Sequence, residues 1–154
     1  MNNEQTDAWG KSICFNQIVF SIENNVAAET PTARHYAAVA REVMENAIAD
    51  LGSIVNETYR DRKPSNGNFS ESIGIMKALG YHPGGSIEKD KQSARKIIGE
   101  LETSILDVTR MINNPSDFYA DSKRSERLLN AATKIMRFYG RESGTTIRRY
   151  TSAA

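Results

Sequence analysis

Apolar residues recur at steps of three and four along most of this chain, the spacing that lines one face of an α-helix. The pattern is clearest behind Thr30, where Tyr36, Ala40, Val43, Ala47, Leu51 and Ile54 keep it. Thr30 is a good N-cap and Pro31 suits the first helical position, so a helix opens there. It runs to about Arg60, where Asp61-Arg62-Lys63-Pro64 stops it, because a residue before proline is driven out of helical geometry. A second long helix follows Ser86, with Ala94, Ile97, Ile98, Leu101, Ile105, Val108 and Ile112 as its stripe and Asn113-Asn114-Pro115 as its end. Glu88 and Asp90 fall in its first turn, where the helix dipole favours acids. The last helix spans about Ser122 to Tyr139, with Leu128, Ala132, Ile135 and Tyr139 on one side and Gly140 as its stop.

Two elements read less simply. About Asp7 to Asn24 is apolar on two faces, Trp9, Ile13 and Phe20 on one and Cys14, Ile18 and Ile22 on the other. Such a helix is either central or bound to a partner. Residues 12–22 are also rich in β-branched and aromatic types, so a strand competes; the helical neighbours favour helix. A short helix over about Ser70 to Leu79 ends at Gly80 and is weakened by Gly74. Residues 61–70 form a polar loop. The resulting fold class is all-α: a single-domain helical bundle of about four to five helices over residues 1–140, followed by a basic flexible tail, 141–154.

Composition adds few constraints. The 154 residues suit one domain. Twenty Lys and Arg against nineteen Asp and Glu leave a net charge of +1, so whole-chain charge favours no partner. The lone Cys14 excludes an internal disulfide and suits a reducing compartment. The N-terminus lacks a signal-peptide pattern, and no apolar run reaches a membrane span. The expectation is a soluble, cytoplasmic protein without membrane contact.

Charge patterning is more informative. With Lys123 at zero on a helical wheel, Arg127, Asn130, Lys134, Arg137 and Arg141 all fall within about 40°. The apolar set lies opposite, and Glu126 only touches the edge. The tail adds Arg148 and Arg149. The outer face of the helix behind Thr30 mixes signs (Arg41, Glu42, Glu45), as does that of the helix behind Ser86 (Lys89, Lys96, Glu100, Asp107, Arg110). A single-signed face suits phosphate backbones, whose neutralisation releases counterions. It also suits an acidic protein surface, or simply solvent.

Catalytic and metal chemistry finds little footing. Glu42 and Glu45 form an E-x-x-E pair, the metal-binding device of all-α nucleotide pyrophosphatases, but the wheel turns them to solvent and no matching inward acids appear. His35 and His82 have no Cys or His at ligand spacing. Gly84-Gly85-Ser86 lacks the P-loop Lys-Ser/Thr, and Glu88 and Asp90 would repel a phosphate there. Cys14 sits among apolar residues, with no basic neighbour beyond Lys11 to activate it. No catalytic residue, metal ligand or cofactor is expected.

The last helix, closing on Phe138-Tyr139-Gly140 beside a basic face, resembles the small helical-bundle subunits of CRISPR ribonucleoprotein effectors. The resemblance covers one helix and a three-residue motif. It implies contact with nucleic acid within an RNA-guided assembly. The first expectation is therefore a non-enzymatic binder that contacts nucleic acid or a nucleoprotein through Lys123, Arg127, Lys134, Arg137, Arg141, Arg148 and Arg149. The alternative is a protein interaction module, self-associating or inhibitory, that uses Trp9, Ile13 and Phe20. A small metal-dependent nucleotide hydrolase is a third reading and would need inward acids.

Overall fold

The computed structural model describes residues 2–56 and 67–144, and among them the chain is all helix without a strand. Six helices follow in order: α1 (Asn3–Glu23), α2 (Pro31–Val55), α3 (Gly67–Ala78), α4 (Ile87–Asn113), α5 (Pro115–Ala120) and α6 (Ser122–Ser143). The helical reading of residues 12–22 holds. The tail beyond Gly144, with Arg148 and Arg149, and residues 57–60 at the expected end of the second helix lie outside the described residues.

Local chemistry sets the ends. α1 opens at Asn3, not at Asp7, because Asn2 and Gln5 form a reciprocal capping box. The Gln5 N–H donates to Asn2 Oδ1 at 2.8 Å, and the Asn2 N–H to Gln5 Oε1 at 2.9 Å. Thr30 and Ser86 cap α2 and α4 as the sequence predicts, accepting from Ala33 and Lys89. Asn114 caps α5, a six-residue helix too short to show a hydrophobic period; it seats Phe118 fully in the core. α6 does not stop at Gly140. It continues to Ser143 and closes on Gly144, whose φ of 70° belongs to the left-handed region that ends helices. Arg141 is therefore a helical residue, and the aromatic-glycine step lies inside the helix instead of closing it.

α1 and α6 form the most extensive pair and run antiparallel. Ala8 and Ser12 on α1 and Ala132 and Met136 on α6 are buried, and the Ser12 hydroxyl donates to the Met136 carbonyl at 2.8 Å. Phe15 stacks on Tyr139 at 6.2 Å between centroids. α1 also packs against α2, which pairs with α4, so one side of α1 is buried and the other is left outward. Cys14, Phe15, Ile18 and Val19 are buried, whereas Trp9 stays 41% exposed and Ile13 and Phe20 partly so.

Gly74 has a specific role. A Cβ built there would lie 2.3–2.4 Å from the tip of the Phe138 ring, so α3 presents bare backbone to that ring edge. Gly74→Ala is expected to destabilise by about 1–3 kcal/mol through overpacking, against its gain in helix propensity. Gly52, with open space around it, is the control: Gly52→Ala should stabilise by about 0.5–1 kcal/mol. Equal stabilisation of both in thermal melts would refute the Phe138 contact.

Burial holds protons on three side chains. It pushes the Cys14 thiol from 9.0 up to about 11 and the Tyr119 phenol up to about 12, and raises Tyr139 further. The folded state therefore keeps protons that the unfolded chain releases, and stability falls as pH rises above about 9. Cys14 alone accounts for about 2–3 kcal/mol by pH 11. Denaturant midpoints measured between pH 8 and 11 should fall, and Cys14→Ala should flatten the early part of that fall.

Candidate functional site

α6 positions the basic face by turning its apolar side inward. Leu128, Ala132, Ile135, Met136 and Tyr139 are buried, which leaves Lys123, Arg127, Asn130, Lys134, Arg137 and Arg141 exposed along one line. Lys123 to Arg141 spans roughly 27 Å at the helical rise.

The structure divides the line. Arg127 donates from Nε to Asp107 Oδ2 at 2.8 Å and from Nη2 to Oδ1 at 2.9 Å, a bidentate pair. Those bonds raise the Arg127 pKa above its usual value. Asp107 is fully buried, which corrects its assignment to the solvent face of α4. It sits about 80° around the wheel from Ile97, on the shoulder where α6 packs. The positive charge of Arg127 is thus neutralised by α4. Lys123, Lys134, Arg137 and Arg141 make no ion pair among the described residues. Other cations do: Lys11 with Asp7 and Glu71, Arg41 with Glu45, Arg110 with Asp117, and Arg124 with Asp117 and Asp121.

Next to the pair lies a groove of about 470 Å³ between α4 and α6. Lys96 belongs to its α4 wall and Lys134 to its α6 wall. Lys96 is a site residue that the sequence reading left among mixed surface charges. Its angular position, beside Glu100 and Asp107 on one shoulder of α4, was the available signal.

The remaining candidates fall as follows. Glu42 and Glu45 are exposed, and Arg41 reaches Glu45 at 3.8 Å. His35 and His82 are exposed. The Gly84 N–H donates to the Asp90 carboxylate at 3.1 Å, so the glycine turn is closed by its own helix. Inward acids do exist, contrary to the wheels. Besides Asp107, Asp50 is buried and accepts from the Ser72 hydroxyl at 2.7 Å. Half-buried Glu71 takes Lys11 at 2.9 Å and the Tyr139 hydroxyl at 3.2 Å. Burial lowers the Lys11 pKa, but its bonds to Glu71 and Asp7 outweigh that and raise it. Among the described residues, no group of three or more His, Cys, Asp or Glu is placed to hold a metal ion. No described helix is long and apolar enough to cross a membrane. The chain matches no protein-family model, no curated protein and no solved structure.

Proposed function

We propose that this protein is a non-enzymatic helical binder that contacts nucleic acid, alone or within a nucleoprotein complex, through the basic face of α6. One observation carries the reading: Lys123, Lys134, Arg137 and Arg141 share an exposed face, and none has an acidic partner among the described residues. Cations that serve the fold are paired here, as Arg127 is with Asp107 and Arg124 with Asp117. A row of unpaired cations on a rigid helix repels itself and gains most from a polyanion, because each neutralised phosphate releases a counterion. Binding of labelled nucleic acid by the wild type and by the Lys134→Glu/Arg137→Glu double variant tests it. Equal affinities of the two proteins would refute it.

A second reading draws on α1. Its outward stripe, Thr6, Trp9, Ile13, Gln17, Phe20 and Asn24, contains no charge, in a chain that is 25% charged. Trp9 stands 41% exposed within it. Such a stripe suits contact between protein surfaces. It predicts a sedimentation mass above 17.1 kDa that Ile13→Glu returns to the monomer value. A wild-type monomer at all micromolar concentrations would remove the self-associating form.

A further inference from the structure

The groove between α4 and α6 has properties that a solvated gap would not need. α4 and α6 run antiparallel here: Asp107 meets Arg127, and the groove continues from that pair toward the N-terminal half of α4. Lys96 and Lys134 place a cation on each wall, and neither makes an ion pair among the described residues. Ser104 and Thr103 add hydroxyls to the α4 wall of the same groove. Lys96 also lines a second depression, with Tyr81, His82, Lys89 and Ser93. The two depressions therefore meet at Lys96.

We propose that groove and depression together form a track for single-stranded nucleic acid, with phosphates held by Lys134 and Lys96 and a base set against Tyr81. The inference rests on the reading of α6 as a nucleic-acid face and names the form of nucleic acid that it takes. Shape decides between the forms. A duplex is read by a helix that protrudes into its major groove. Here two packed helices wall a concave channel, which admits an extended strand. A positive groove flanked by an aromatic ring is the arrangement that holds single strands with little sequence preference. Among the described residues, Glu100 is the only acid lining the groove, and it accepts from the Tyr81 hydroxyl at 3.4 Å. Asp90, in the second depression, is engaged by the Gly84 N–H.

Fluorescence anisotropy with a labelled oligothymidylate of about 20 nucleotides, and with a duplex of the same length, tests the track. In about 0.1 M salt, Lys96→Glu should weaken strand binding roughly fivefold or more, one phosphate contact's share. Tyr81→Leu should weaken it at least about fivefold, whereas Tyr81→Phe keeps the ring and the affinity. Circular dichroism checks that the Tyr81 variants fold; exposed Lys96 keeps the test decisive if they do not. Wild-type affinity in both Lys96→Glu and Tyr81→Leu, with affinity lost in Lys134→Glu/Arg137→Glu, would overturn the track and leave the α6 reading standing. Duplex binding as tight as strand binding would also overturn it. Binding of neither probe by the wild type would overturn both.

Discussion

Arg127→Ala is expected to lower the free energy of unfolding by about 3 kcal/mol, although half of the Arg127 side chain is exposed. The cost falls on the partner. Asp107 is fully buried, and both its oxygens accept from this one guanidinium. Without it, a carboxylate stays in the core with its charge uncompensated, which costs far more than the loss of an exposed pair. The effect should be asymmetric. Asp107→Leu leaves a half-solvated arginine and an apolar core position, and should cost less than Arg127→Ala. Urea denaturation of both single variants and of the double variant gives the coupling directly. Equal costs, or an Arg127→Ala loss below about 1 kcal/mol, would mean that Asp107 is solvated.

Charge reversal at Lys134 and Arg137 has the opposite profile: little change in stability and a large change in binding. Both positions are exposed, and glutamate is nearly as good a helix former as lysine or arginine. Placing acids in the C-terminal half of α6 opposes the helix dipole by only a few tenths of a kcal/mol. Binding should weaken far more. At 0.1 M salt, two lost phosphate contacts correspond to roughly 25- to 60-fold, depending on whether the strand is single or double. Repulsion by the new acids adds to this. Arg127, already neutralised by Asp107, should contribute less to binding than Lys134 when each is replaced by glutamine.

Much of the fold was legible because the hydrophobic period of α2, α4 and α6 is long and regular. The misses have particular causes. Gly140 looks like a helix stop, but it is buried inside α6, which runs one turn further and takes its left-handed cap at Gly144. α5 holds only six residues, and Pro115, which reads as a terminator of α4, serves as its first residue. The Asn2–Gln5 box is built from two amides in place of a hydroxyl and a carboxylate, so the start of α1 carried a weaker signature. Gly74 reads as a weak point in a helix, and only the ring of Phe138 across the bundle explains it. The basic stripe was visible on the α6 wheel alone. What a single wheel cannot show is the neighbour. Asp107 stands about 80° from the α4 core stripe, a shoulder position that is solvent in isolation and interior once α6 packs there. The same shoulder carries Lys96, so one tertiary contact removed Arg127 from the unpaired set and brought Lys96 toward it.

The central claim is that unpaired cations on α6 bind a polyanion. The most direct test is the salt dependence of binding, log Kd against log salt, for the wild type and for Lys134→Glu/Arg137→Glu. Four unpaired cations predict that log affinity falls with a slope of about 3 or steeper, and that the double variant reduces this slope by about 1.5–2. A flat wild-type plot, or the same slope in both proteins, would contradict the account.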